Sequence, residues 1–259
     1  MAQCVILKLD DLSKQFNGFT ALSNVSFELE KGRVLAILGP SGSGKTTLLR
    51  CIAGFEQLKT GNIDYTFGHD TIRVDPSTNS PLNFLAGRIG FVFQDLQLWP
   101  HMTVLKNVIE APIRAGKLSK KKAIRKAFEI CERLDIKEQI KKFPSELSIG
   151  QQQRVAIART LTTEPVLILM DEITSALDPE VVLEIASIIK DLSASGITCI
   201  VVSHQMAFAR KIAERMVFLN DGRLIYHGDM PDLHSLSSLP SPLQRFIVAD
   251  EISRRDNHV

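Results

Sequence analysis

The stretch Gly39-Pro40-Ser41-Gly42-Ser43-Gly44-Lys45-Thr46-Thr47 has the spacing G-x-x-x-x-G-K-[ST], with Gly39, Gly44, Lys45 and Thr46 at the required positions. Its chemistry is phosphate binding. Glycines let a loop curl until its backbone N–H groups converge on an anion, and the helix N-terminus that follows adds partial positive charge. Lys45 would reach the β- and γ-phosphates of a nucleotide, and the Thr46 hydroxyl would ligate Mg²⁺. A glycine-rich turn with a chance lysine is the bland alternative. The flanks argue against it: Val34-Leu35-Ala36-Ile37-Leu38 reads as a buried strand, and Thr46 to Ala53 as a helix with Leu48, Leu49 and Ile52 inward.

A second group of candidates lies where apolar runs end. Val166-Leu167-Ile168-Leu169-Met170 leads directly into Asp171-Glu172. Adjacent carboxylates at the end of a buried strand are unfavourable unless a cation meets them. Beside a phosphate loop that cation is Mg²⁺ with ATP: Asp171 would hold the metal through its hydration shell, and Glu172 would orient or deprotonate the attacking water. Ile89-Gly90-Phe91-Val92-Phe93 delivers Gln94, and Cys199-Ile200-Val201-Val202 delivers Ser203-His204. Taken singly, Gln94 reads as a loop glutamine and His204 as a structural histidine. Yet one edge of a parallel sheet gathers such residues at one site. Phe16 is equally open, as a core aromatic or as a ring for stacking on adenine.

The elements that position these groups can be followed along the chain. Residues 4 to 10 and 25 to 30 read as strands of an N-terminal sheet with a turn at Phe16-Asn17-Gly18. Thr60 to Gly87 reads as irregular, with short strands and turns facing solvent. From Pro100 to about Pro144 the pattern is helical. Ile124, Ala127, Phe128, Cys131 and Leu134 recur at helical spacing opposite Lys121, Lys122, Arg125 and Lys126, a basic face that reads as solvated. This segment is a helical subdomain set into an α/β core. Met216 to Tyr226 reads as a hairpin about Asn220-Asp221-Gly222, and one helix is expected near Leu243–Ala249 in a short tail that leaves no room for a second regulatory domain.

Composition bounds the class. The 259 residues are 44% apolar, enough for one large domain, and 31 basic against 29 acidic side chains leave a formal charge of +2. That balance does not call for a nucleic acid partner. No apolar run approaches the roughly 20 residues of a membrane span, and the first residues lack a signal peptide. Cys4, Cys51, Cys131 and Cys199 are scattered without a C-x-x-C pair and read as small buried side chains. The chain reads as cytoplasmic, so that a membrane role would come through a partner.

With these residues in view, the chain resembles the ATP-binding subunits of ABC transporters from about Leu7 to Phe246. Leu147-Ser148-Ile149-Gly150-Gln151-Gln152-Gln153-Arg154 to Arg159 looks like the family's signature and the helix it opens. By the same match Phe16 falls at the adenine-stacking aromatic, Gln94 at the Q-loop, Ser175-Ala176-Leu177-Asp178 at the D-loop and His204 at the switch histidine. The resemblance implies a P-loop NTPase core of RecA-like type with an N-terminal antiparallel β subdomain. One domain over 4–250 would carry an inserted helical signature subdomain at about 96–160, with 251–259 as a tail. It implies ATP and Mg²⁺, with Gly39, Pro40, Ser41, Gly42, Ser43, Gly44, Lys45, Thr46 and Thr47 on the phosphates. Thr46, Gln94 and Asp171 would stand at the metal, and Glu172, Gln94 and His204 would be catalytic. It implies a dimer of ATPase subunits in which Ser148, Gly150, Gln151 and Asp178 act on the partner's nucleotide. Permease subunits in the membrane, and a solute-binding protein reached through them, complete the implied assembly at the cytoplasmic face.

Phe93 to Val108, followed by Ile109-Glu110-Ala111-Pro112, looks most like the polar amino-acid uptake branch. Two positions depart from the family pattern: Ile149 stands for the signature's first glycine, and Ile173 for a proline after the expected general base. A β-branched residue resists positive φ and close approach by a phosphate. Hydrolysis is expected to persist at a reduced rate. An exporter or lipid-handling ATPase on the same module, or a non-transport ATPase acting on nucleic acid, are the competing functions. The latter calls for a basic stripe or coiled-coil insertions that the chain lacks.

Overall fold

The computed structural model describes residues 4–175 and 177–256. Ala176, within the expected D-loop, and residues 257–259 of the expected tail lie outside the described residues. Two strands open the chain, β1 (Val5–Phe16) and β2 (Phe19–Glu30). They pair antiparallel around Asn17-Gly18, whose φ values of 45° and 86° are both positive, as a two-residue hairpin turn requires. In β2 the buried Val25, Phe27 and Leu29 alternate with exposed residues, so one face of the pleat meets the core. Asn-Gly supplies the turn and alternation supplies the register.

β3 (Val34–Leu38) begins the central sheet, and the glycine-rich loop after it leads into α1 (Lys45–Ile52). The chain then returns to the first sheet with β4 (Thr60–Phe67) and β5 (Asp70–Val74), giving the order β2-β1-β4-β5. This corrects the reading of Thr60–Gly87 as a solvent-facing span. Ile63 and Tyr65 are fully buried, and the Tyr65 hydroxyl donates to the Ile52 carbonyl at 2.7 Å. Those two apolar residues sit among Asn62, Asp64 and Thr66, too short an alternation to stand out from its polar neighbours. A short helix, α2 (Leu82–Leu85), precedes β6 (Ile89–Val92).

Helices α3 (Val104–Arg114), α4 (Lys120–Arg133) and α5 (Ile149–Leu161) follow, each begun by a hydroxyl that accepts from a backbone N–H of the first turn. The caps are Thr103, Ser119 and Ser148. One residue of the expected solvated face of α4 is not free: the Lys126 ammonium donates to the Thr162 carbonyl at 3.0 Å and pairs with Glu164 at 2.6 Å. β7 (Leu167–Asp171), α6 (Pro179–Ala194), β8 (Thr198–Val202), α7 (Met206–Ile212), β9 (Arg215–Asn220) and β10 (Arg223–Asp229) complete the core. The last helix, α8, runs Ser241–Asp256, beyond the expected Leu243–Ala249, so a tail boundary at 251 falls inside it. Among the described residues no helix is long and apolar enough to cross a membrane.

The central sheet has the order β10-β9-β3-β8-β7-β6, parallel except for the β9–β10 hairpin. Strands β3, β7 and β8 are buried at every position because both faces are covered. Alternate residues feed two cores. Ala36, Ile168, Met170 and Val201 meet the helices on one face, while Leu35, Ile37, Leu169 and Ile200 meet α1 and the N-terminal sheet on the other. The parallel arrangement brings the carboxyl ends of β3, β6, β7 and β8 to one edge of the sheet.

Candidate functional site

At that edge the loop between β3 and α1 is held by close packing. A side chain at Gly39, φ 153°, would overlap the Leu219 carbonyl oxygen. One at Gly44, φ 98°, would come within 2.8 Å of the Ala21 carbonyl oxygen. Glycine is required at both for space as well as for backbone angle. The Lys45 ammonium is buried under the loop and donates to the carbonyl oxygens of Gly39 and Pro40, each at 2.9 Å. Burial lowers its pKa, opposed by the charges of Glu172 and Asp171.

The Ser43 side chain is turned into the protein, its hydroxyl buried without a partner, while its N–H donates to Pro40 O at 3.2 Å. Ser43 is thus buried and Pro40 exposed, and neither they nor Gly39 lines the cavity beside the loop. Ser41, Gly42, Gly44, Lys45, Thr46 and Thr47 line a cavity of about 450 Å³ that also reaches Gln94 and Glu172.

Thr46 Oγ1 donates to Asp171 Oδ1 at 3.0 Å. Asp171 is only 5% exposed, and burial raises its pKa; the Thr46 hydroxyl bond works the other way, and the neighbouring Glu172 raises it further. A hydroxyl and a carboxylate in contact, with a second carboxylate beside them, form a hard oxygen donor set suited to Mg²⁺. No cluster of three or more His, Cys, Asp or Glu able to hold a metal occurs among the described residues.

Glu172 follows β7 with φ 45°, a left-handed angle rarely held by a non-glycine residue, and its N–H donates to Val202 O at 3.1 Å. The neighbouring strand therefore holds the turn that swings this carboxylate out of the sheet. Its Oε2 stands 3.7 Å from Nδ1 of His204, which leaves β8 as Glu172 leaves β7. A half-buried carboxylate facing a phosphate loop, with an imidazole beside it, can orient and deprotonate water.

Phe16 sits at the cavity mouth with the Lys14 ammonium 4.5 Å from its ring centroid. Phe19, 70% exposed, lines the same mouth, and sequence reasoning missed it. The available signal was the Asn-Gly turn between the two phenylalanines, which sets them side by side across the hairpin.

The structure does not bring the signature residues to this cavity. Ser148, Gly150 and Gln151 line a separate cleft of about 460 Å³ with Arg154, Val181 and Glu184. Ser148 caps α5: its Oγ accepts from Gln151 N–H at 3.3 Å, and Gln151 Oε1 accepts from Ser148 N–H at 3.1 Å. Because the cap uses a serine lone pair, the O–H remains to donate outward. Ile149 is the first residue of α5, 53% exposed, and is absent from the residues at positive φ. Its β-branched side chain therefore meets no backbone strain. Ile173 is buried in the helical-face core. Asp178 is exposed at the N-cap of α6, makes no side-chain cap bond and lines neither cavity.

The family described as ABC transporter matches residues 22–175. The glutamate transport ATP-binding protein GluA of Corynebacterium glutamicum is 42% identical over 227 residues, covering 88% of this chain and 91% of that protein. The L-cystine transport system ATP-binding protein TcyN of Escherichia coli is 43% identical over 225 residues, 86% of this chain and 89% of that one. The arginine transport ATP-binding protein ArtM of Bacillus subtilis is 41% identical over 224 residues, 86% of this chain and 91% of that one. Among solved structures, the dimeric structure of MJ0796, a bacterial ABC transporter cassette, superposes with a TM-score of 0.77 at 32% identity, covering 88% of this chain and all 100% of that one. A dimeric post-hydrolysis state of the same cassette, bound to ADP and Pi, gives 0.76 at 32% identity, with 88% and 100% covered.

Proposed function

The chain belongs to the ABC transporter family, and on that premise we propose that it is the ATP-hydrolysing subunit of an importer for polar amino acids. The observation that carries the ATPase reading is the paired geometry. One cavity holds Lys45, Thr46 and Glu172, and a second holds Ser148, with no lining residue in common among the described residues. Hydrolysis needs donors around all sides of the γ-phosphate. Two copies related head to tail would bring the signature of each over the phosphate loop of the other.

In that assembly the backbone of Ser41 to Thr47 and the Lys45 ammonium bind phosphate oxygens, and Phe16 stacks on adenine. Thr46 and Asp171, with Gln94, hold Mg²⁺, whose part is to neutralise charge on the phosphates. Glu172 takes a proton from water, His204 steers it and positions the γ-phosphate, and Ser148, Gly150 and Gln151 close the site from the partner. Asp178 approaches the same interface. One domain over residues 4–250 does this work, with the helical segment at about 96–160 moving against the core. The subunit sits at the cytoplasmic face of a membrane on permease subunits, which a solute-binding protein feeds.

Amino-acid import is supported by relatives named for glutamate, cystine and arginine transport. The test is uptake of labelled glutamate, glutamine, arginine and cystine by membrane vesicles from cells holding this chain, set beside cells carrying Glu172→Gln. ATP-driven uptake of at least one of them, lost in the variant, is the expected result. Outward movement of solute would instead favour an exporter, and no Glu172-dependent transport of any of them would sink the reading.

A further inference from the structure

Behind Gln94 the backbone is forced into an uncommon path. Leu96 and Gln97 both hold positive φ, 57° and 46°, and Gln97 N–H donates to Asp95 O at 2.6 Å in a tight turn. Two consecutive non-glycine residues in that region persist only where the surroundings hold them.

The hold comes from α5. The Arg159 guanidinium donates through Nη1 to Gln97 O at 2.6 Å and through Nη2 to Leu96 O at 2.8 Å. Its Cζ lies 5.4 Å from the centroid of the Trp99 ring. Trp99 is itself fixed from α3, its N–H donating to Asn107 Oδ1 at 2.8 Å and its carbonyl accepting from Asn107 Nδ2 at 3.1 Å. The planar guanidinium reaches the two carbonyls through separate nitrogens while lying against the Trp99 ring, a geometry that the compact point charge of a lysine ammonium does not reproduce.

Arg159 stands in the last turn of the helix whose first turn is capped by Ser148. A helix is stiff along its axis, so a displacement at Arg159 reaches Ser148. We propose that Arg159 is a positioning residue that locks the loop behind Gln94 to the signature helix. Nucleotide engaged by Gln94 at one site thereby sets the position of Ser148, which serves the other. This rests on the two-site ATPase reading above, and it adds a physical joint between the sites.

The chain contains a single tryptophan, Trp99, so its fluorescence reports on this joint alone. The experiment compares wild type with Arg159→Lys and with Gln97→Gly, an exposed loop position where folding is not at risk. Labelled-ATP affinity, ATP turnover, its Hill coefficient and Trp99 emission with and without Mg²⁺-ATP are measured on each. Both variants are expected to bind nucleotide within about 2-fold of wild type. In Arg159→Lys turnover should fall about 10-fold or more, the Hill coefficient should drop toward one, and the Trp99 response to ATP should vanish; Gln97→Gly keeps the backbone carbonyl and suits φ 46°, so all three should stay near wild type.

Wild-type turnover and Hill coefficient in Arg159→Lys would overturn the proposal, as would an equal loss of both in Gln97→Gly. So would parallel loss of turnover and nucleotide affinity, which marks a merely structural role. Failure of the wild type to bind labelled ATP would overturn the two-site reading itself. Trp99 emission of the nucleotide-free proteins separates the two failures: a change from wild type to Arg159→Lys is expected from the lost stacking, and no change refutes the joint independently.

Discussion

Asp171 and Glu172 are neighbours in the chain with different surroundings, and the roles proposed for them follow that contrast. Asp171 is the buried member, bonded to Thr46, and burial raises its pKa. A carboxyl with a raised folded pKa lends its stability below that value and loses it as pH rises through it. At neutral pH its charge therefore weighs against the nucleotide-free fold and awaits a cation. Asp171→Asn should remove that burden while the amide oxygen still accepts from Thr46. Calorimetry of the nucleotide-free protein should show a melting temperature higher by a few degrees at about pH 8, since about 1 kcal/mol moves a domain of this size by about 2–4 °C. The gain should shrink as pH falls toward the ordinary carboxylate range, and Mg²⁺-dependent turnover should be lost. A variant no more stable than wild type at the higher pH would contradict the assignment of strain to this carboxylate. Motif spacing and the apolar run made both residues legible; which one is buried was set by the turn at Glu172 and its bond to Val202.

Helix α5 is organised by what its two ends touch. At its start, a Cβ on Gly150 would lie 2.7 Å from Val181 Cγ1 on α6, and Arg154 bonds Glu184 on the same helix and the Leu134 carbonyl at 3.1 Å. Gly150 is therefore a packing glycine as well as a signature residue. Gly150→Ala should push α5 off α6, destabilise by about 1–3 kcal/mol as overpacked contacts do, and lower turnover about tenfold or more. Nucleotide binding at the phosphate loop should remain. Adding Val181→Ala should restore much of the turnover. Failure of that rescue, with stability recovered, would show that position 150 needs glycine for the phosphate rather than for α6. At Ile149, one residue earlier, helical angles and exposure leave backbone strain out of account. Ile149→Gly should lower the melting temperature slightly, because glycine is the poorer helix former. In an ATPase assay it should raise turnover if the side chain impedes the partner's phosphate; equal turnover in the two proteins would show that it does not. None of these contacts could be read from spacing, since Gly150 and Val181 are joined only by packing between helices.

At the scale of the molecule, the phosphate loop and Ser148 line different cavities, and on the proposed two-site reading activity should depend on association. Turnover per chain should rise with protein concentration, and Glu172→Gln with Mg²⁺-ATP should give a particle of doubled mass by light scattering. Its turnover should fall by roughly 10²–10⁴-fold, the usual contribution of a general base. A monomer with undiminished turnover at high dilution would refute the head-to-tail site. The sequence by itself determined the phosphate loop, the strand ends that deliver Gln94, Asp171, Glu172 and His204, and the signature at Ser148. These depend on local spacing and on apolar runs that end in polar residues. Tertiary structure alone decided that Tyr65 is core, that Phe19 joins Phe16 at the cavity mouth, and that the signature lies in a cleft apart from the phosphate loop. It also decided that Arg159 clasps Leu96 and Gln97, more than 60 residues earlier in the chain. The reason is physical: those features are contacts between elements distant in sequence, and a pattern of residue types carries no record of which elements meet until both cores have packed.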